Sequence, residues 1–429
     1  MHNLKIKPEN TVFVILSFEG PDDYALSGGL GTRVRGLTMN LASLGYETHL
    51  FFIGDPDKPG FEKKVDGKLY IHRWCQWISK YHPGGVYDGE ENKLRDFKGS
   101  VPYFVTDNIV RPAVNDNKTV VIMAEEWHTA DTVVALSEHL YYNGLRDKVM
   151  LLWNANNIYS FHRINWGALN FVANITTVSK YMKHQMWNWG INPTVIPNGI
   201  PDNFFKKPKD ISYDRRLHKS TGADIILLKL GRFSPDKRWH MAIRALPILK
   251  RKGLKPVLLM KGGNEPFGGE VFYEIRYLGL KVADIYLEDL TIDCLGAALA
   301  AAPRADIYNI KPFMSEDLLK PLYYECDAVL ANSGHEPFGL VGLEVMACKG
   351  ITFLGSTGED YAVPFKNSIV LETEDPKEIV SYIQFLHRNP RRNEEIRKMA
   401  HTTAKNYSWK NVIISNLLAR LVHLKEQSR

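Results

Sequence analysis

Four cysteines in 429 residues, Cys75, Cys294, Cys326 and Cys348, stand far apart without paired spacing, so neither a disulfide framework nor a zinc site is indicated. That scarcity fits a reducing compartment. Long hydrophobic runs are missing as well. The opening MHNLKIKPEN is polar, and the apolar stretch 11–18 falls far short of the roughly 20 residues a spanning helix needs. A soluble, cytoplasmic protein is the expectation. Charge of one sign is not in excess: 54 Lys and Arg face 48 Asp and Glu, a net +6 scattered along the chain. This is no nucleic-acid footprint, though it suits an anionic small ligand. Local clusters, Lys206, Lys207 and Lys209 and again Arg391, Arg392 and Arg397, read as solvated faces. Low-complexity segments and short-period repeats are also lacking.

What is present is the composition of a globular enzyme, 45% hydrophobic and 24% charged. The length exceeds what one core serves, so two α/β domains of roughly 200 residues, with a cleft between them, are expected. Short apolar runs recur through the first half: TVFVILSF, THLFFIG, TVVIMA and KVMLLWNA. The second half repeats the rhythm with DIILLKLG, KPVLLMKGG, IYNIKPF, CDAVLANS and ITFLGS, with helical patterns such as WHMAIRALPILKRKG between them. Strand–helix alternation of this kind is the pattern of a parallel sheet, here two doubly wound ones. Turn formers and charge mark a boundary within 197–224, and 406–427 reads as an amphipathic helix with Val412, Leu417, Leu418 and Leu421 on its apolar side.

Three constellations could carry chemistry. The first, Ser27-Gly28-Gly29-Leu30-Gly31-Thr32, lies between a strand and a helix, where glycines admit a ligand to the backbone and helix amides face an anion. No Gly-Lys-Ser/Thr follows, so it is not a P-loop, and a plain turn explains it equally well. The second places Arg232 and Lys237 five residues apart at the end of a buried strand, where a guanidinium and an ammonium could grip a diphosphate. A solvated turn is the bland alternative. The third is 332–347, in which a strand runs into a Pro-Phe-Gly turn and a helix. Glu336 sits on its loop and Glu344 early in its helix, with the amides of Phe338, Gly339 and Leu340 turned toward an anion.

These segments, in this order, resemble the retaining glycosyltransferases of family 4 and the related bacterial and archaeal glycogen synthases, over nearly the whole chain. The Glu336/Glu344 pair, with seven residues between, is the most specific element. Thr177-Val178-Ser179, 196–200, Ser356-Thr357-Gly358 and Tyr407-Ser408-Trp409 add to it. The resemblance implies the GT-B fold, two Rossmann-like doubly wound domains facing across a deep cleft. It assigns 1–200 with a returning helix 408–429 to the acceptor side and 201–407 to nucleotide-sugar binding. It further implies a hexosyltransferase that moves a hexose, with retention and by front-face attack, from a nucleotide-diphosphate sugar to a carbohydrate or other hydroxyl acceptor. Arg232 and Lys237 would hold the donor diphosphate, Glu336 the sugar hydroxyls and Glu344 the ribose. Gly28, Gly29, Gly263, Phe338, Gly339 and Leu340 would complete the donor cradle. No cofactor, metal or nucleic-acid partner is implied.

Departures fall on the acceptor side. In Glu125-Glu126-Trp127-His128-Thr129-Ala130, His128 stands where many relatives have glutamine, and Asn156 takes the place of a histidine near the sugar. Asparagine can hydrogen-bond a hydroxyl but cannot titrate near neutral pH. His128 and His162 are candidate substitutes, although a lone histidine is commonly structural. Trp127, Trp153, Trp166 and Tyr159 offer faces for a sugar or simply fill a core. Asp55-Pro56-Asp57 invites a metal-dependent reading, but the expectation puts it on a surface loop away from the ligand edge. A nucleotide-sugar epimerase, an inverting transferase and a non-catalytic sugar-nucleotide-binding protein remain as alternatives on the same fold.

Overall fold

The computed structural model describes residues 6–206, 215–312, 314–355 and 357–427. Lys207, Lys209 and Ser356 lie outside the described residues. The chain divides into two compact units, 1–199 together with 407–429, and 200–406.

The first unit is built on eight strands: β1 (Thr11–Leu16), β2 (Glu47–Ile53), β3 (Phe61–Lys64), β4 (Leu69–Trp74), β5 (Thr119–Glu125), β6 (Val149–Ala155), β7 (Asn174–Thr177) and β8 (Thr194–Val195). They lie in the order β3-β4-β2-β1-β5-β6-β7-β8, all parallel except the β3–β4 pair. Val12 to Leu16 are fully buried, and so are Val120, Val121 and Ile122. Helices on both faces of a parallel sheet require such unbroken apolar runs, and that is why these strands stand out in the sequence. The second unit has seven parallel strands: β9 (Ile225–Leu230), β10 (Pro256–Lys261), β11 (Val282–Ile285), β12 (Ile307–Ile310), β13 (Ala328–Ala331), β14 (Thr352–Leu354) and β15 (Ile369–Val370). Their order is β11-β12-β10-β9-β13-β14-β15. Its core gathers Leu227, Trp239, Leu246, Leu258, Met260, Leu330, Phe353 and Ile383. Both units therefore have the doubly wound form expected.

Each sheet reverses its winding once, between β1 and β5 in the first unit and between β9 and β13 in the second. Loops leaving the carboxyl ends of such a strand pair diverge and open a crevice, the usual ligand position in open α/β sheets.

The segment 407–429 is held in the first unit by Trp409. A Cβ on Gly36, in the helix Gly29–Ser43, would lie 2.0 Å from the Trp409 indole nitrogen, and one on Gly199 would lie 2.6 Å from its ring. Only glycine permits that approach. Val412, Ile413, Leu417 and Leu421 continue the buried face, while Leu418 is partly exposed.

Two expectations change. The Asp55–Asp57 loop leaves the carboxyl end of β2, hence the ligand edge of the sheet rather than a place away from it. Asp55 accepts the Asp57 amide at 3.0 Å and pairs with Lys58 at 3.8 Å, so its carboxylate serves its own turn. Arg397 is not on a solvated face. Its guanidinium donates to the carbonyls of Tyr324 (3.0 Å), Cys326 (3.2 Å) and Lys349 (2.9 Å), at the ends of two helices whose last carbonyls have no intrahelical partner.

Candidate functional site

In the second unit the chemistry-bearing residues converge on the reversal between β9 and β13. Leaving β9, the chain makes a turn in which the Arg232 carbonyl accepts the Trp239 indole N–H at 2.8 Å. Trp239 is buried in the core, so the turn is anchored from below, while the Arg232 side chain is exposed and bears no ion pair among the described residues. Lys237 reaches the loop after β13, donating to Ser333 Oγ at 3.2 Å and pairing with Glu336 at 2.5 Å. The structure thus brings Lys237 and Glu336 into contact across 99 residues of sequence.

The Glu336 loop is fixed on its other side by the chain after β14. The Glu336 amide donates to Thr357 Oγ1 at 3.0 Å, and its carbonyl accepts the Gly358 amide at 2.9 Å. Gly339 follows with φ +61°, a left-handed residue that lets the helix Leu340–Ala347 start at the loop. A side chain there would meet Glu359 Cγ at 2.7 Å. Glu359 is a site residue that sequence reasoning missed. It is 5% exposed, accepts the Thr357 amide at 3.2 Å through Oε2, and its Oε1 has no hydrogen-bond partner among the described residues. Burial, with Glu336 close by, raises its pKa to about 8, so it is a protonated acid at neutral pH.

Glu344 lies further along the same helix, between the buried Leu343 and Val345. Half-buried by area, it nonetheless lies deep enough for burial to lift its pKa to about 7, against the Tyr323 hydroxyl that donates to it at 3.2 Å. Gly263 follows β10, where Glu265 folds back to accept the Phe233 amide at 2.9 Å and occupies the space beside it. Arg238 takes a left-handed backbone conformation, φ +49°, and pairs with Glu374 at 3.2 Å.

The first unit's reversal is furnished differently. After β1, Glu19 Oε2 accepts the amides of Gly28 at 3.1 Å and Gly31 at 3.0 Å, and Tyr87 donates to its other oxygen. These two amides of the glycine loop are therefore not unpaired, because a carboxylate of the protein already sits in the nest. Gly28 and Gly29 themselves face open space. At the end of β5, Glu125 is fully buried; both its oxygens accept the one Nε–H of Arg33, at 3.0 and 3.1 Å, and it accepts the side-chain amides of Asn154 and Asn156, both at 2.9 Å. Asn156 is thereby committed through Nδ2, while its Oδ1 is buried without a partner. Glu126 is held at φ +66° and accepts the amides of Asn156 (2.6 Å) and Asn157 (3.2 Å). Burial nevertheless raises its pKa to about 8.

Trp127 and His128 are both buried, their rings 4.0 Å apart, and the Arg163 guanidinium lies 4.1 Å from the Trp127 ring. Packed this way, Trp127 is a wall rather than an open stacking platform. His128 Nε2 meets Glu90 at 3.0 Å, Nδ1 has no partner among the described residues, and burial lowers its pKa despite Glu90. A cavity of about 250 Å³ beside them is lined also by Arg95, Lys98 and Asp131. His162 is exposed on the short turn Phe161–Arg163, and Tyr159 is 74% exposed.

Residues 301–405 match the family model described as glycosyl transferases group 1. The match supports that family. It contains Glu336, Glu344 and Glu359, while Arg232 and Lys237 precede it. An uncharacterized glycosyltransferase of Methanocaldococcus jannaschii, MJ1607, is 27% identical over 194 residues, 43% of this chain and 42% of that protein, so the likeness spans less than half of the relative. Among solved structures, sucrose-phosphate synthase from Thermosynechococcus elongatus superposes with a TM-score of 0.65 at 16% identity, over 97% of this chain and 98% of that one. The catalytic domain of starch synthase IV from Arabidopsis thaliana, bound to ADP and acarbose, gives 0.66 at 15% identity, over 98% and 99%. The fold is GT-B. Among the described residues no helix is long and apolar enough to cross a membrane.

Proposed function

We propose that this protein is a retaining, metal-independent hexosyltransferase that uses a nucleotide-diphosphate sugar as donor and a hydroxyl compound as acceptor. The observation that carries the reading is the Lys237–Glu336 contact beside the exposed Arg232 at the β9–β13 reversal, within a GT-B fold. Two fixed cations at the carboxyl ends of strands suit a diphosphate, and they would neutralise the charge that develops on it as it leaves. A nucleotide-sugar donor also agrees with the group 1 match over 301–405.

In the proposed reaction the bond between the anomeric carbon and the phosphate oxygen breaks, and the electron pair leaves with the nucleoside diphosphate. The acceptor oxygen bonds to the anomeric carbon on the same face, and its proton passes to the departing phosphate. Arg232 and Lys237 hold the diphosphate. Glu336 would exchange its ion pair with Lys237 for hydrogen bonds to the sugar hydroxyls, and Glu344, with Tyr323 behind it, would take the ribose. Retention rests on the resemblance of the 335–344 segment. Metal independence rests on the two cations doing the work of a divalent ion. The acceptor side is assigned to the first unit, with Trp127, His128 and Asn156 as its residues.

The test is nucleoside-diphosphate release from UDP, ADP and GDP sugars across a panel of hydroxyl acceptors in excess chelator, with the product's anomeric configuration read by proton NMR. Release that survives chelator, is lost in Arg232→Ala and Lys237→Ala, and yields the donor's anomeric configuration is expected. Inversion, or full activity in both variants, would refute the reading.

A further inference from the structure

Strand β9 is aliphatic from Ile225 to Leu228 and then carries a lysine that is 2% exposed. Lys229 Nζ donates to the Leu330 carbonyl at 3.2 Å and to Asn332 Oδ1 at 2.6 Å, and lies 5.3 Å from the Trp239 ring. All three partners are neutral. Among the described residues no carboxylate pairs with it. A buried ammonium without a counter-ion is costly, and chains rarely keep one that nothing answers.

The surroundings sharpen the point. From β10, Met260 stands opposite Lys229 in register, and from the helix Trp239–Arg251 come Trp239 and Met241, the latter beside Asn332. The charged neighbours lie on the turn after β9: Lys237 and Arg238 disfavour the ammonium and Asp236 favours it. Glu336 faces the group only by way of Lys237. Burial and these two cations bring Lys229 down to about 7. Asn332 and Trp239 also join it to both ligand-bearing loops, since Asn332 precedes Ser333 and Glu336 while the Trp239 indole holds the Arg232 carbonyl.

We propose that Lys229 is the buried half of an ion pair that the ligand completes: the donor diphosphate is its counter-ion, and donor binding draws a proton onto it. This rests on the donor site proposed above. An anion in the crevice stabilises the ammonium, so the bound state takes up a proton from solvent wherever the free protein has lost it. Affinity for the donor accordingly falls as pH rises through about 7, by roughly tenfold for each unit by which the ligand raises the lysine's pKa.

Calorimetric titration of the full chain with UDP-glucose, ADP-glucose and GDP-mannose, in two buffers of different ionisation enthalpy, tests this. The phosphates of these donors are diesters that do not titrate near neutral pH. The expected result is an uptake of about half a proton or more at pH 7.5, vanishing near pH 5.5. Lys229→Met is expected to abolish the uptake, to weaken binding about tenfold at low pH, and to melt no lower than the wild type because a buried charge is gone. Glu344 and Glu359, also at this site, are the other groups that burial brings near neutral pH, at about 7 and about 8. Wild-type binding without proton uptake, or uptake that persists undiminished in Lys229→Met and so belongs to another group such as Glu344 or Glu359, overturns the proposal and leaves the donor site standing. Failure of all three donors to bind takes down both.

Discussion

The two sheets reverse their winding at equivalent places, yet the crevices there are furnished differently. Around β1 and β5 the buried groups are acids, Glu19, Glu125 and Glu126, satisfied by backbone amides, asparagines and a single arginine. Around β9 and β13 the buried lysine Lys229 lies beneath the partly exposed Lys237 and the exposed Arg232, with Glu336 paired to Lys237 and the buried acid Glu359 close by. The architecture sets where a ligand can lie, and the side chains decide its sign. An anion is matched to the second crevice, whereas the acids and amides of the first suit an uncharged, hydroxyl-rich molecule.

That contrast can be broken in several places. The largest effect is expected from Glu125→Ala, which strands the 2%-exposed Arg33 in the interior. Removing one member of a buried pair costs about 3–5 kcal/mol, to be read as a shift in the urea midpoint. Next, Arg232→Ala and Lys237→Ala should each lower turnover about 100-fold, or roughly 2.7 kcal/mol. Because Arg232 is exposed and has no ion pair among the described residues, its loss should leave the melting temperature unchanged, which separates function from folding.

A third, smaller effect concerns pH. Burial raises the pKa of Glu126 to about 8 in the fold, whereas the unfolded chain releases that proton near 4.5. Stability must therefore fall as pH rises between those values. Glu126→Gln should flatten this part of a pH–stability curve measured by chemical unfolding, and an unchanged slope would show that the acid is ionised in the fold. The smallest effect belongs to Glu336→Gln. Its pair with Lys237 is partly exposed, so stability should change by less than about 1 kcal/mol while turnover drops.

What the sequence revealed and what it hid follow from range. β1, β5, β9 and β10 are legible because burial on both faces leaves an unbroken apolar run. The short strands β3, β8, β11 and β15, of two to four residues, have no such pattern. The loops proposed to hold the donor stand out in the sequence because each is a local motif. Glu19 in the glycine nest could not, since nothing at position 19 says that its carboxylate turns toward residues 28 and 31. Lys229 was passed over for a similar reason: its acceptors lie 101 and 103 residues away, and a lysine within an aliphatic strand gives no sign of where its ammonium ends. Arg397 read as solvent-facing because its neighbours Arg391 and Arg392 do face solvent, while the three carbonyls it caps come from distant helices.

Trp409 has a bearing on the order in which the molecule is made. It closes the surface formed by Gly36 and Gly199, yet the whole of 200–406 is translated before it. Domains emerging from the ribosome tend to fold in turn, the N-terminal one first. Here the first unit leaves the exit tunnel lacking its last piece, and a bare groove along the helix Gly29–Ser43 must wait, uncovered, until the second unit has been synthesised.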